Sequence, residues 1–346
     1  MVTEVSLAKD TEAKLWDEIV ENSPHGTIFH TWRWLKITEK YTKFQFYPLL
    51  IRTGDEVRGI FPIFHRSHLF ISMIFSPPPH AAIPCLGPVI VDYEKQRLYK
   101  KELILTELQG AIDEYLHWQL KSNYVSIAFS PGLNDPRPFG WAGYRVSSAY
   151  DYETDLSCGS EIMWEQLPKN LRQNVNRAVK RGLSVEIGTE RDVDALYEIM
   201  VRRYKEQDKF VHVPKEYLLD LYRSFDGSMR IFVAKFEGNV ISGSIELFHK
   251  DKVTSWIGTP KPLINISPSP NDLISWEIIK YSIERKFRSY TTFGAAGDER
   301  LHAYYASKFN PELKMRYIVK KISFIARIAE KGFYHILNPV SDRIRR

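Results

Sequence analysis

The chain has 346 residues, 44% of them hydrophobic and 26% charged, which is typical of a globular protein with room for two cores. Its two cysteines, Cys85 and Cys158, argue against a disulfide framework and favour a reducing compartment. No apolar run approaches the length of a membrane span, and the polar, acidic N-terminus does not resemble a signal peptide. We therefore expect a cytoplasmic protein.

The first half predicts alternating helices and strands. In order, we expect a helix over 11–23, a helix capped near Thr31, a hairpin of strands over 43–52 and 57–64, a proline-rich loop over 75–88, a helix over 99–120 and a strand over 124–129. Residues 135–156 are predicted to form a turn-rich crossing into the second half. The domain boundary is placed near residue 150.

The second half repeats this order of elements without a letter-by-letter repeat. We expect helices over 168–181, 191–205 and 214–225, a hairpin of strands over 230–236 and 240–248, a strand over 252–258, a proline-rich loop over 259–271 and a helix over 272–286. Hairpins mixed with crossing helices indicate an α/β fold with mixed sheets. The predicted domains are 1–150, completed by 318–346, and 151–317.

The run YTTFGAAGDERLHAYYASKFNPELKMRY, residues 290–317, is the most informative stretch of the sequence. It predicts a short buried strand that ends at Gly294, a glycine turn, a helix capped by Asp298 and a second strand. The sequence Phe309-Asn310-Pro311 is expected to end the helix. This pattern alone is common among α/β domains.

Four segments in this order resemble the Fem-type and related tandem acetyltransferase-fold (GNAT) proteins. GTIFHTWRWLK resembles their N-terminal signature, DPRPFGWAGYRVSSAYDYETDLS their domain linker, PKNLRQNVNRAVKRG the first helix of their second domain, and the run 290–317 their closing segment. The resemblance implies two tandem GNAT-like domains, each a mixed β-sheet flanked by helices. It also implies that the active cleft lies in the second domain.

The resemblance also suggests site residues. Aligned on Phe309, the closing segment places Tyr305 at the family's aromatic position and Ala306 at its lysine position, with Lys308 two residues on. Tyr305 and Lys308 are therefore the predicted catalytic residues. The predicted substrate-binding residues are Arg202, Tyr204, Tyr197 and Lys36. The alternatives are a tyrosine packed in the core for Tyr197 and Tyr204, and an exposed helix lysine for Lys36.

The loop before the helix over 272–286 reads Ser-Pro-Ser-Pro-Asn-Asp instead of the Gly-rich pyrophosphate signature of acetyltransferases. A helix N-terminus favours anions, because its N–H groups are unpaired and its dipole is positive there. Asn271 and Asp272 are therefore predicted to bind the donor, together with Arg172 and Arg177 on the basic helix 168–181. The alternatives are a capped helix after a rigid loop and a solvated basic surface.

The net charge of +6 is concentrated near the end of the chain, where residues 320–346 carry seven basic and two acidic side chains. Apolar residues spaced by three and four predict a C-terminal amphipathic helix over 321–346. We expect it to pack on the first domain. Contact with an anionic membrane, which would make the protein peripheral there, or with tRNA is the alternative.

The resemblance implies an N-acyltransferase that forms an amide between an activated acyl or aminoacyl donor and an acceptor amine, like the peptidoglycan-bridge aminoacyltransferases. No tightly bound cofactor is expected, since acyl-CoA or aminoacyl-tRNA would act as co-substrate. The alternatives are an acyl-CoA-dependent GNAT N-acetyltransferase and a non-catalytic membrane- or RNA-binding protein. The sequence contains no P-loop, HExxH, GxSxG or CxxC motif, and its histidines lack metal-ligand spacing.

Overall fold

A computed structural model describes residues 3–68, 70–206, 208, 211, 213–258, 261–293 and 307–327. The chain divides into two compact units that are both discontinuous in sequence. The first unit contains Met1–Pro79, Ile83–Ser148 and Arg316–Arg346, and the second contains His80–Ala82 and Ala149–Met315.

The helices and strands follow one another as follows. The first half contains β1 (Thr3–Leu7), α1 (Ala13–Asn22), α2 (Trp32–Tyr41), β2 (Gln45–Thr53), β3 (Glu56–His68), β4 (Ile71–Ser76), β5 (Val89–Ile90), α3 (Leu98–Trp118), β6 (Tyr124–Ala128) and α4 (Arg137–Trp141). The second half contains β7 (Arg145–Asp155), α5 (Ser160–Gln166), α6 (Lys169–Lys180), β8 (Ser184–Ile187), α7 (Glu190–Lys205), α8 (Lys215–Ser224), β9 (Met229–Phe236), β10 (Asn239–His249), β11 (Lys252–Ile257), α9 (Pro270–Glu284), β12 (Ser289–Phe293) and β13 (Glu312–Ile322).

The two units share one pattern of strand pairing. The first unit has the strand order β1-β2-β3-β4-β6-β13, in which only β4 and β6 are parallel. The second unit has the order β8-β9-β10-β11-β12-β7, in which only β11 and β12 are parallel. In each unit a long helix, α3 or α9, connects the two parallel strands, as a crossover between parallel strands requires. The fold is therefore duplicated, with one mixed sheet in each unit.

The last strand of each sheet comes from an unexpected part of the chain. β7 follows β6 in sequence but pairs with β12 of the second unit, where Asp155 lies opposite Ser289. β13 follows β12 in sequence but pairs with β6 of the first unit, where Ile318 lies opposite Ala128. The two halves of the sequence thus exchange their final strands.

β7 also corrects the turn-rich crossing predicted for residues 135–156, because eleven of these residues form a strand. Its sequence, RVSSAYDYETD, alternates only weakly, and the buried positions include the polar residues Asp151 and Thr154. The strand is therefore defined by its long-range partner β12 and not by local hydrophobicity. The helices and strands predicted over 168–181, 191–205, 214–225, 230–236 and 240–248 match α6, α7, α8, β9 and β10 within two residues.

In the second unit, helices cover both faces of the sheet. A Cβ placed on Gly243 of β10 would meet Leu196 of α7 at 2.5 Å, whereas the Ser242 hydroxyl bonds to Asn271 of α9. Because successive strand residues point to opposite faces, α7 and α9 lie on opposite sides of β10. The α9 side contains a continuous hydrophobic core, which includes Phe248, Ile279 and Tyr290.

Candidate active site in the second unit

The parallel strands of the second unit stop pairing before either strand ends. The last pair of β11 with β12 is Ser255 with Thr292. Beyond it, Ile257 of β11 pairs with Ile245 of β10, and Phe293 of β12 pairs with Asp151 of β7. Each strand therefore stays with its outer neighbour while the two part. We call the space between β11 beyond Ser255 and β12 beyond Thr292 the strand gap.

An irregularity in β11 accompanies the parting. Glu246 pairs with Ser255 and Ile245 with Ile257, so Trp256 is an extra residue between two successive pairs. Such a bulge bends and twists a strand, and this one lies where the pairing of β11 with β12 ends. The carboxyl ends of parallel strands are a common place for a ligand crevice in α/β sheets.

Trp256 is held by the segment His80–Ala82, which belongs to the second unit although it comes from the first half of the sequence. The indole N–H of Trp256 donates a hydrogen bond to the carbonyl of Ala82 at 2.5 Å. The Tyr217 hydroxyl of α8 donates to the carbonyl of Ala81 at 3.2 Å. These contacts fix the bulged residue on the α8 side of the gap.

The N-terminus of α9 is closed by its own side chains. Ser269 precedes the helix, and its hydroxyl accepts a hydrogen bond from the backbone N–H of Asn271 at 3.3 Å. The Asn271 side chain accepts a hydrogen bond from the Ser242 hydroxyl at 2.9 Å, which anchors this end of α9 to β10. Pro268 and Pro270 carry no backbone N–H, so this helix start offers few amide donors to an anion.

A chain of polar contacts links four side chains beside this helix start. Lys308 Nζ lies 2.6 Å from Oδ1 of Asp272, and their side chains are only 8% and 14% exposed. Oδ2 of Asp272 accepts a hydrogen bond from the Asn174 side chain at 2.7 Å. Asn174 in turn accepts one from Arg177 at 2.5 Å. The Asp272 carboxylate is thereby held by α6 and by Lys308, and it lies at the positive end of the α9 dipole.

The α9 face of β10 contains a row of polar side chains, Ser242, Ser244 and Glu246, that continues from this cluster to the strand gap. Glu246 is fully buried and lies opposite Ser255, the last residue of β11 that pairs with β12. Burial raises the pKa of Glu246 to about 8, although hydrogen bonds from the hydroxyls of Ser244, Ser255 and Tyr290 act in the opposite direction. A neutral carboxyl group therefore lies at the closed end of the gap.

The predicted substrate-binding residues lie elsewhere. Arg202 is 61% exposed and pairs with Glu206 at 3.5 Å, and Tyr204 is also exposed. The Tyr197 hydroxyl donates to the carbonyl of Val213 at 3.1 Å. All three belong to α7, on the opposite face of the sheet from Lys308 and Asp272. Arg202 lines a cavity of about 150 Å³ between the end of α7 and the loop after β11; the other lining residues are Ile199, Arg203, Glu206, Lys261, Pro262, Leu263, Ile264 and Asn265.

The structure thus brings Lys308, Asp272 and Arg177 into one network and Asn271 next to it. Arg172 lies on α6, where its Nε is buried without a hydrogen bond to a described residue. Lys36 belongs to the first unit, where it is half-exposed and pairs with Glu39 at 3.1 Å. Tyr305 and the predicted glycine turn and helix before it lie outside the described residues, as does most of the predicted 321–346 helix.

Sequence reasoning missed Asn174 and Glu246. Asn174 was part of the motif that suggested the resemblance, and its position three residues before Arg177 on α6 was a usable signal, since such residues are neighbours on a helix. Glu246 lies in the alternating run ISGSIELF, whose polar positions are typical of a solvent-facing side. The helix α9 covers that side instead.

Two further findings concern metal ligands and membrane-spanning helices among the described residues. They bring together no group of three or more His, Cys, Asp or Glu side chains suited to a metal ion. Within the same ranges, every helix is too short or too polar to cross a bilayer.

Comparisons with known proteins agree with this architecture. Residues 167–305 match the family model of the acetyltransferase (GNAT) domain. The chain is similar in structure to FemX, with a TM-score of 0.65 at 13% identity over 91% of this chain and 96% of FemX. A search of curated protein sequences finds no match.

Two other solved structures share the fold. A tandem GNAT protein from the clavulanic acid biosynthesis pathway has a TM-score of 0.54 at 11% identity, over 92% of this chain and 97% of that one. L-PGS from Bacillus licheniformis has a TM-score of 0.53 at 11% identity, over 91% and 92% of the two chains. The chain therefore has the mixed α/β fold of FemX and the tandem GNAT proteins, and its second unit carries a GNAT-type, acyltransferase-like domain.

Proposed function

We propose that the second unit transfers an activated acyl group to an acceptor amine and forms an amide. The observation that carries the proposal is the strand gap, where β11 and β12 part after Ser255 and Thr292 beside the buried Lys308–Asp272 pair. An extended acyl donor entering this gap would find backbone groups on either side to bind and align it. Aligning two reactants in this way can supply a large part of a rate acceleration.

Lys308 supplies the positive charge in this proposal. Its ammonium group is fixed by Asp272 in a largely water-excluded position, where a charge acts on a developing oxyanion more strongly than it would in water. Tyr305, three residues earlier in the sequence, is proposed to act beside it. Arg202 and Tyr204 are proposed to bind the acceptor from the α7 face, so that donor and acceptor approach the gap from opposite sides of the sheet.

The α9 N-terminus favours an aminoacyl-tRNA over an acyl-CoA as donor. A CoA pyrophosphate would need several backbone N–H groups at this place. Pro268 and Pro270 provide none, the N–H of Asn271 is taken by Ser269, and the Asp272 carboxylate adds negative charge. α6 and the residue that follows it instead expose several basic side chains that suit a polyphosphate backbone; they are Lys169, Arg177, Lys180 and Arg181.

Two titrations and a trapping assay test this proposal. The protein is titrated with CoA and with a mixture of aminoacyl-tRNAs, and each donor is then incubated with hydroxylamine, a small amine-type nucleophile that replaces the unknown acceptor. We expect tRNA binding and aminoacyl hydroxamate formation, but no micromolar CoA binding. Micromolar CoA affinity with acetyl hydroxamate formation would favour the acyl-CoA alternative. Tight RNA or vesicle binding without turnover of any donor would favour a non-catalytic binding protein.

A pair of charge-matched variants examines the role of α6. Replacing Lys169 and Lys180 by alanine should weaken tRNA binding. It should also make the slope of log binding constant against log salt concentration less steep, by about one for each lost phosphate contact. Replacing the exposed Lys43 and Lys100 of the first unit removes the same charge elsewhere and should change the slope little. Equal effects of both pairs would contradict a donor surface on α6.

The remaining expectations stay proposals. No tightly bound cofactor is proposed, and the acceptor is an amine-bearing molecule. A peripheral contact of residues 321–346 with an anionic membrane and a cytoplasmic location are likewise predictions from the sequence.

A further inference from the structure

Glu246 has no role in the donor and acceptor contacts proposed for Lys308, Arg202 and Tyr204, yet it lies beside the strand gap. It is opposite Ser255, the last residue of β11 that pairs with β12. It is 0% exposed to solvent. Burying a carboxyl group costs free energy unless its oxygen atoms make hydrogen bonds, so we consider the partners of each oxygen atom.

The two oxygens of Glu246 have different surroundings. Oε1 accepts hydrogen bonds from the hydroxyls of Ser244 at 2.5 Å and Ser255 at 3.4 Å. Oε2 is buried and makes no hydrogen bond to a residue that the structure describes. The Tyr290 hydroxyl also hydrogen-bonds to the carboxyl group and lowers its pKa, and no charged side chain of the described residues contributes to that pKa.

The position of the proton follows from these contacts. Burial keeps the carboxyl group neutral at pH 7, because its pKa is raised to about 8. Oε1 lies within hydrogen-bonding distance of two hydroxyl groups and Oε2 of none among the described residues, so the acidic proton is assigned to Oε2. The closed end of the strand gap thus contains a buried O–H donor whose acceptor is not among the described residues, as expected of a group that meets a ligand.

We propose that Oε2 of Glu246 donates the proton to the leaving group of the acyl donor bound in the strand gap. This inference rests on the proposed transferase function and adds a catalytic residue to it.

The proposed step is balanced in atoms and charge. The acceptor amine forms a C–N bond to the acyl carbon, and the carbonyl electron pair moves to oxygen. When the intermediate collapses, the bond from carbon to the leaving oxygen breaks, and that oxygen takes the proton from Oε2. The resulting Glu246 carboxylate takes the surplus proton from the amide nitrogen. Glu246 returns to its neutral form, and no further reactant is needed.

The central test compares E246Q, E246L and the control E277Q in single-turnover aminoacyl transfer to hydroxylamine. The Gln side chain keeps a hydrogen-bond donor and an acceptor but cannot transfer a proton, so we expect a rate loss of about 10²- to 10⁴-fold with little change in donor affinity. Leu should lose the activity as well, and it replaces a buried neutral group by an apolar side chain of smaller size, so its folding is checked by its denaturation midpoint. Glu277, a half-buried carboxyl group on α9 whose pKa is also raised by burial, should tolerate Gln.

The pH profile separates a proton donor from a structural side chain. In the native protein the rate should fall as the pH rises through about 8, because Glu246 ionises, and this limb should be absent in E246Q. An E246Q protein with native rate and native profile would overturn the inference while leaving the transferase function in place.

Infrared difference spectroscopy provides a readout that needs no turnover. The native protein and E277Q should show a protonated-carboxyl C=O band at pH 7 that E246Q and E246L lack. Binding of an RNA minihelix with an amide-linked amino acid, which cannot react, should shift this band. A bound minihelix that leaves the band in place would overturn the inference alone, whereas failure to bind or turn over any donor would overturn the transferase function with it.

Discussion

Lys308 and Asp272 form an ion pair in which Nζ lies 2.6 Å from Oδ1 and both side chains are nearly excluded from water. Removing one partner of a buried pair leaves the other charge without compensation. Lys308→Met should therefore lower the free energy of unfolding by about 3–5 kcal/mol. Urea denaturation measures this change, and adding Asp272→Asn should recover much of the loss.

Lys314 provides the control for this prediction, because its pair with Glu312 is exposed. Lys314→Met should cost less than about 1 kcal/mol. Equal losses for Lys308→Met and Lys314→Met would show that the buried pair contributes no more than a surface pair.

Asn174 connects Asp272 to Arg177, so its side chain affects both charged groups. Asn174→Ala leaves Oδ2 of Asp272 without its amide donor, and we expect a loss of about 1–3 kcal/mol in the free energy of unfolding. Asn176→Ala, an exposed position on the same helix, should change it by less than about 0.5 kcal/mol. Thermal denaturation of both variants tests the difference, and a neutral Asn174→Ala would contradict the network.

Glu246 should make stability depend on pH in an unusual direction. Its folded pKa, about 8, lies above the ordinary value of 4.5, so the folded state binds a proton that the unfolded state releases between these values. The contribution of this proton to the free energy of unfolding is complete below pH 4.5 and is lost as the pH rises through 8. Between pH 5 and 8 the native protein should lose a few kcal/mol of stability that E246Q keeps. Parallel pH–stability curves for the two proteins would contradict this assignment.

Gly243 marks the closest approach of α7 to β10. An added Cβ would lie 2.7 Å from the carbonyl oxygen of Phe232 and 2.5 Å from a Leu196 methyl group, and the carbonyl belongs to the paired strand β9. Gly243→Ala should therefore cost about 1–3 kcal/mol through overpacking. Gly258→Ala, whose Cβ would meet nothing within 4 Å, should leave the denaturation midpoint nearly unchanged. Similar midpoints for both variants would contradict the packing of α7 on β10.

The sequence predicted the elements whose signals are local. The hairpin turns at Gly54 and Gly238 are examples, and both glycines adopt the positive φ that such turns favour. β1, β4, β5, β7 and β8 were not predicted. β1 and β7 are largely polar or exposed and become strands only through β2 and β12, whereas the alternating burial of β4 was a local signal that went unrecognised. Local propensity contains no information about such partners.

The site was predictable to a similar extent. The resemblance pointed to Lys308 and the helix N-terminus to Asp272, but local spacing could not show that the two residues pair, because they are 36 positions apart. Asn174 and Asp272 are 98 positions apart, so only the packing of α6 against α9 brings them together. Glu246 looked like a solvent-facing residue because an alternating strand does not reveal that a helix covers its polar side.

The exchange of β7 and β13 affects the order in which the protein can fold during synthesis. The second unit has all its strands once β12 has left the ribosome, because β7 precedes it in the chain. β6 lacks its neighbour until residues 318–322 are made, after every strand of the second unit. The half that is made first is therefore finished last, and until then it presents an open strand edge that a chaperone would have to shield from aggregation.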